Sequence, residues 1–323
     1  MKGNSPEVGE LTALYARDLD REDPKERWLV DGLWARQAVG LCAGNPKSLK
    51  TWVALDLAVS VASGTPALGR FKVEAPGTAL AYFAEDQSDQ LRSRIEGICR
   101  HRQLDIDELD LVVITEPGVR LDTPIDQERL RATLSRFKPR LLLLDPLVRL
   151  HSLNENDSQE ISRLLGYFRE LQRSFELAVI LVHHTGKKSR SQPGLALRGS
   201  TDLHAFGDAY AYLARNSRDE AVTLRLEHRA SRPPDPMTLQ LVSSQRGSDL
   251  HLEIRDEAPE DEHAPSLQDR VLRLLSANRC PLKRKDLRAE LGVNNQRLGE
   301  ALSLLEANRK IRHTPRGWTS SMH

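Results

Sequence analysis

The sequence predicts an α/β fold: a mostly parallel central sheet with helices on both faces, extended by antiparallel strands, followed by a small helical domain. Three observations carry this. Apolar runs of strand length alternate with amphipathic helical segments as far as residue 184, the pattern of a sheet buried on both sides. After Asp208 the runs follow one another with only polar turns between them. An acidic, Pro-containing stretch without periodicity, DEAPEDEHAPS (256–266), then separates a basic tail, as a linker would.

Residues 1–27 read as one polar helix, an arm that can reach a neighbouring subunit. The main domain spans 28–255. AVGLCA (38–43) is a strand entering a Gly/Pro/Lys loop, and TWVALDLAVSVASG (51–64) carries helical spacing to a glycine stop. TALAYFA (78–84), DLVVIT (110–115), LLLLD (141–145) and LAVILVHH (177–184) are further strands. Between them lie helical segments such as QSDQLRSRIEGICRHR (87–102) and SQEISRLLGYFRELQRSF (158–175). AYAYLAR, AVTLRLEH, MTLQLV and LHLEI are read as an antiparallel extension of the same sheet. After the 256–266 linker, residues 267–323 give three helices, then strand, turn and strand, the order of a winged helix-turn-helix.

Composition narrows the classes. With 323 residues the chain is long enough for one large core and a small second domain. Hydrophobic residues are 39% and charged residues 29%, and no apolar stretch approaches the ~18 residues of a membrane span. The first thirty residues show no cationic start leading into an apolar segment, so a cytoplasmic location is expected. Cys42, Cys99 and Cys280 lack metal-ligand spacing and suit a reducing compartment. The net charge is +1, but between Asp269 and Arg316 twelve cationic residues face five acidic ones, a local +7.

The chemistry concentrates around GNPKSLKT (44–51). A phosphate loop needs backbone N–H groups converging at a helix start, a lysine for the outer phosphates and a hydroxyl for Mg²⁺. Gly44, Asn45, Pro46, Lys47, Ser48, Leu49, Lys50 and Thr51 fit that pattern except that Leu49 stands where a glycine is usual. If the backbone there is left-handed, leucine costs roughly 1–2 kcal/mol. A chance Lys-Thr at a helix start is the alternative, and neighbouring strand ends decide between them. RLLLLDP (140–146) closes on Asp145, the form of a carboxylate that holds the metal near the β- and γ-phosphates. AYFAED (81–86) ends another strand with Glu85, placed to polarise an attacking water, against the alternative of an exposed strand-end acid. Asp86 reads as the cap of the following helix.

With these elements in order, the chain resembles the RecA-like P-loop ATPases, and among them the plasmid RepA-type hexameric helicases, over residues 28 to about 245. The resemblance lies in WLVDGLWARQAVGLCAGNPKSLKTWVALDLAVSVASG, FAEDQSDQLRSRI, LLLLDPLVRLHSLNENDSQEISRLL and VILVHHTGK. It implies ATP and Mg²⁺ as cofactors, Lys50 and Thr51 on phosphate and metal, Glu85 as catalytic base, Asp145 as the Walker B acid, and His184 near the γ-phosphate. Leu49 is the departure. His183 and His184 face opposite sides of a strand without ligand partners, so one faces the nucleotide and one the core rather than a metal.

Ring ATPases take a cation from the next subunit. Arg229 in LRLEHRASR fits that finger, with Glu227 where the family carries lysine; Arg198 is the other candidate and is read as a nucleotide or DNA contact. KKSRSQPG (187–194) is a cationic loop in which Lys187, Lys188 and Arg190 can track single-stranded DNA in a ring's pore. In the tail, Asn294, Asn295, Gln296 and Arg297 begin the third helix and can read duplex base edges, with Arg312 and Arg316 on phosphates. Binding of replication proteins is the tail's alternative role.

The expectation is therefore an ATP-hydrolysing homo-oligomer, a hexameric ring acting as a DNA helicase or translocase, with no membrane partner. A nucleotide-gated DNA-binding initiator or regulator with weak turnover is the second reading, and a protein-remodelling ATPase indifferent to DNA the third.

Overall fold

The computed structural model describes residues 13–18, 27–155, 157–185, 201–215, 221–243, 249–255, 267–278, 281–291, 293, 295–315 and 317–321. They fall into two compact units, within 1–255 and 256–323. Most of the predicted N-terminal arm and the whole acidic linker lie outside the described residues; Ala16–Asp18 forms a short 3-10 turn.

Among the described residues, the larger unit is built on a sheet of nine strands: β3 (Val39–Gly44), β4 (Ala79–Phe83), β5 (Leu111–Ile114), β6 (Leu141–Asp145), β7 (Ala178–His184), β8 (Ala209–Arg215), β9 (Val222–His228), β10 (Met237–Ser243) and β11 (Leu250–Arg255). A two-stranded ribbon, β1 (Trp28–Val30) with β2 (Trp34–Ala35), precedes them. The sheet order is β11-β10-β9-β8-β3-β7-β6-β4-β5. Strands β8, β3, β7, β6, β4 and β5 run parallel, and β9, β10 and β11 each pair antiparallel with their neighbour.

The four leucines of β6 show why the parallel strands read as unbroken apolar runs. Leu141 and Leu143 enter the core on one face, and Leu142 and Leu144 enter the other. Helices α1 (Lys50–Ser63) and α2 (Ser88–Arg102) cover the first face; α3 (Pro124–Phe137), α4 (Ser158–Phe175) and α5 (Thr201–Phe206) cover the second. A strand buried on both sides has no polar positions to spare. Close packing also fixes Gly40 in β3, where a Cβ would lie 1.8 Å from the Ala209 carbonyl oxygen.

The sequence reading of the sheet needs one correction. AYAYLAR, expected in the antiparallel extension, forms β8 and runs parallel to β3, from Gly40↔Ala209 to Gly44↔Leu213. A helix-bearing connection containing α5, rather than a hairpin, leads from β7 into β8, which returns the chain in the same direction. The antiparallel extension begins one strand later, at β9.

In the smaller unit, α6 (Leu267–Ala277), α7 (Arg284–Leu291) and α8 (Asn295–Ala307) precede an antiparallel pair, β12 (Ile311–Thr314) and β13 (Gly317–Ser320). Leu298, Leu302 and Leu305 turn one face of α8 onto Val271, Leu275 and Leu287. Leu282 and Trp318 exchange backbone hydrogen bonds of 2.9 and 2.8 Å, adding a third strand-like bridge. No described helix is long and apolar enough to cross a membrane.

Helix α1 carries a buried acid beneath the sheet's first face. Asp56 is 2% exposed and accepts from Arg102 of α2 at 2.5 Å and from the Leu68 backbone N–H at 2.7 Å. Burial raises the Asp56 pKa, and Arg102 opposes that rise. Removing one partner of a buried pair leaves an uncompensated charge. Arg102→Met should therefore destabilise the protein by about 3–5 kcal/mol at neutral pH, measured by urea unfolding. Without Arg102 the native carboxyl is protonated more readily than the unfolded one, so the native state binds the extra proton as pH falls and part of the loss is recovered in acid.

Candidate active site

The loop between β3 and α1 is shaped by what surrounds it. A Cβ on Gly44 would meet the Leu213 carbonyl oxygen at 2.4 Å and Ser48 Oγ at 2.5 Å, so only glycine lets the chain pass. Leu49 sits at the helix N-cap with φ 63° and ψ 19°, the left-handed conformation, and Lys47 also has a positive φ of 62°. Such a backbone in a leucine costs roughly 1–2 kcal/mol. Leu49 offsets this by packing against the apolar cluster on the α1 face while also lining the cleft. Its carbonyl accepts the Val53 N–H at 3.0 Å, opening the helix.

Lys50 is 5% exposed, and its ammonium donates to the Asn45 carbonyl at 2.8 Å across the loop. Burial lowers its pKa, while Asp145 and Glu85 pull the other way. At the end of β7, Thr185 ties the loop to the sheet: its N–H donates to the Gly44 carbonyl at 3.1 Å and its hydroxyl to Asn45 Oδ1 at 2.9 Å.

Asp145 closes β6, in register with Phe83 of β4. It is 6% exposed, burial pushes its pKa up to about 6, and the Thr51 hydroxyl bond and Lys50 work against that rise. Among the described residues, Asp145 Oδ2 and the fully buried Ser48 Oγ have no hydrogen-bond partner. A buried carboxylate oxygen without a partner beside a threonine hydroxyl is a poor arrangement for protein atoms alone. It suits a hard cation with oxygen ligands.

Glu85 follows β4, and its carboxylate accepts from Arg149 Nε at 2.7 Å. Asp86 does not cap α2: Gln87 holds the N-cap position without a side-chain cap bond. Asp86 instead binds Arg94 at 2.7 Å, because a cation two turns into α2 offers a stronger partner than the helix N–H groups. The Arg94 guanidinium lies 5.6 Å from the Trp52 ring centroid. His184 pairs in register with Gly44 and lines the cleft, whereas its neighbour His183 is buried on the other face, 3.9 Å from Glu155.

A cleft of about 480 Å³ thus brings together Lys47, Ser48, Leu49, Lys50, Thr51, Glu85, Asp145 and His184. Asn45 and Pro46 are exposed on the outer turn of the same loop. Arg229 is not part of this cleft. Its N–H binds the Asp208 carbonyl at the entry to β8, about 13 Å along the strand from the Gly44 level. Arg312 is exposed on β12, while Asn295, Gln296 and Arg297 fall in the first turn of α8 with side chains outside the described set. Lys187, Lys188, Arg190, Arg198, Asn294 and Arg316 lie outside the described residues.

Sequence reasoning missed Arg94, Arg149, Arg215 and Gln240, of which Arg94, Arg215 and Gln240 line the cleft. Arg149, four residues beyond Asp145, carried the one usable signal: a cation directly after an acid-ending strand. Elsewhere, the ligand atoms of His101, His251 and Glu253 come within 4.8 Å of one another. The two rings are stacked at 3.5 Å and 14°, so their lone pairs run side by side rather than converging on an ion.

Residues 5–190 match a family model described as an AAA domain. No curated protein sequence matches the chain. Among solved structures, the chain is similar to one described as the ATPase Domain of G40P, at 17% identity and a TM-score of 0.49, over 64% of this chain and 82% of that one.

The left-handed backbone at the Leu49 N-cap favours glycine over alanine, the reverse of their ranking in a helix interior. Leu49→Ala loses the packing and keeps the strain; Leu49→Gly loses the packing and relieves the strain. The alanine variant should be the less stable by about 1 kcal/mol, read from paired denaturation curves.

Proposed function

Because the chain belongs to the AAA domain family, we propose that it is an ATP hydrolase whose nucleotide binds in the cleft between α1 and the strand ends. The observation that carries this reading is the meeting of Lys50, Thr51, Asp145 and Glu85 in one cleft, with Asp145 Oδ2 buried and unpartnered among the described residues. In this reading the loop N–H groups and Lys50 hold the β- and γ-phosphates, Lys50 exchanging the Asn45 carbonyl for phosphate oxygen. Thr51 and Asp145 would hold Mg²⁺, which neutralises phosphate charge when bound. Glu85 orients a water and takes its proton as the oxygen attacks the γ-phosphorus and the bond to the bridging oxygen of ADP breaks. His184, level with Gly44, reports the γ-phosphate to the end of β7. Arg229, remote from its own cleft, acts as the finger on a neighbouring subunit.

We infer further that the protein is a ring-forming DNA motor of the RepA-like helicase kind. Support comes from the cationic segment carrying Lys187, Lys188 and Arg190 and from the +7 tail, whose helix and hairpin order suits a winged helix at Asn294–Arg297, Arg312 and Arg316. The second reading, a nucleotide-gated DNA-binding initiator with slow turnover, draws on the strained Leu49 and on the Glu85 carboxylate already engaged by Arg149.

Glu85→Gln should retain ATP binding and lose turnover about 100-fold or more, assayed with and without single-stranded DNA. Wild-type protein that binds ATP without hydrolysing it would favour the initiator, and hydrolysis indifferent to DNA would defeat the motor. The raised Asp145 pKa supplies a pH test. Mg²⁺ requires the ionised carboxylate, so affinity for magnesium-ATP should be flat above pH 6 in the Asp145 contribution and fall about tenfold per unit below it. Asp145→Asn should bind weakly throughout and lack that added slope, by calorimetric titration.

A further inference from the structure

Arg149 stands where it can control the proposed base. It belongs to the 3-10 turn Leu147–Arg149, directly after Asp145 and Pro146. Its backbone is held: its N–H binds the Pro146 carbonyl at 3.1 Å, its carbonyl accepts from the Arg120 guanidinium, and Leu147 and Leu150, on either side of the exposed Val148 and Arg149, are buried. The adjoining Leu150 carbonyl accepts the Leu121 N–H at 2.6 Å. Its side chain is the opposite, 61% exposed, and reaches Glu85, whose own side chain is 48% exposed. A long cationic arm pivoting on a rigid turn therefore holds Glu85 Oε1 at 2.7 Å.

Resting on the ATPase reading, we propose that Arg149 is a positioning residue that keeps Glu85 from acting as a base until a phosphate group draws the guanidinium away. The oxygen engaged by Arg149 has a lone pair committed to that bond, and that lone pair is withheld from any water sharing the cleft that Glu85 lines with Lys50 and Asp145. Guanidinium binds phosphate as readily as carboxylate, in the same forked geometry, so exchange needs no rearrangement of the fold. Exposure sets the strength of the restraint. A pair this accessible to water biases its partners by up to about fivefold and weakens with salt. Such a restraint lowers turnover without abolishing it.

The test is steady-state ATP hydrolysis by the full chain. Without DNA, Arg149→Gln should raise kcat by roughly two- to fivefold with KM for ATP within about twofold, and Arg149→Lys, which keeps the charge, should fall between it and wild type. Raising KCl should speed the wild type and leave Arg149→Gln flat. The Glu85→Gln/Arg149→Gln double variant should be inactive, showing that the gain passes through Glu85. Single-stranded DNA that stimulates wild type but not Arg149→Gln would assign the releasing phosphate to the polynucleotide; equal stimulation of both would overturn the release step, because a nucleotide able to free Glu85 would already have done so at saturating ATP. An unchanged or lower kcat in Arg149→Gln, or a raised KM as its sole effect, overturns the proposal while leaving the ATPase reading intact. If wild type and Arg149→Gln both bind magnesium-ATP and neither hydrolyses it, both fail together.

Discussion

Register between neighbouring strands decides where the reactive groups sit. Gly44 pairs with His184 across β3 and β7, and Phe83 with Asp145 across β4 and β6. Leu144 and Leu41 share Leu181 as a level, which sets Asp145 level with Cys42 across β7, two residues below Gly44. The carboxylate is therefore recessed behind the loop between β3 and α1, and Thr51 at the start of α1 reaches down to it. A one-residue slip in β6 would turn Asp145 to the opposite face and bury a leucine in its place. The double-sided apolar packing of Leu141–Leu144 forbids that slip, so the core that stabilises the sheet also aims its acid.

The loop itself trades strain against packing. Two non-glycine residues, Lys47 and Leu49, hold left-handed backbones within three positions. At Gly44 the chain has no such latitude, because the Leu213 backbone occupies the space a side chain would need. The difference is one of surroundings: a strained φ can be repaid by burial, whereas an overlap with backbone atoms cannot. Leucine at 49 is thus compatible with a loop of this shape, though glycine is the residue with no conformational cost there.

Much of this was legible in the sequence, and what escaped did so for definable reasons. Asp145 and Leu49 could be located because the apolar runs beside them fix strand ends and helix starts within a few residues. AYAYLAR misled because a strand's direction is set by the connection preceding it, and alternation within the strand carries no sign. Asp86 misled because capping is a local rule, and Arg94, eight residues on, outbids the helix N–H groups. Arg149 meets Glu85 across 64 positions of sequence, and Gln240 reaches the cleft only because β10 lies three places from β3 in the sheet. Such meetings belong to the fold and have no pattern along the chain.

Charge within the cleft is nearly balanced by internal substitutes. Lys50 rests on the Asn45 carbonyl, Glu85 on Arg149 and Asp86 on Arg94, while Asp145 Oδ2 has no partner among the described residues. These arrangements differ in depth. Lys50 and Asp145 are buried, where an unmet charge is costly and a complementary ligand is held firmly. Glu85 and Arg149 are exposed, where exchanging one partner for another changes the free energy little. Binding strength therefore resides in the buried groups and responsiveness in the exposed ones. A cleft divided in this way can hold an anion tightly while its outer acid and arginine re-pair with whatever approaches from solvent, so affinity and rate can be set by different residues.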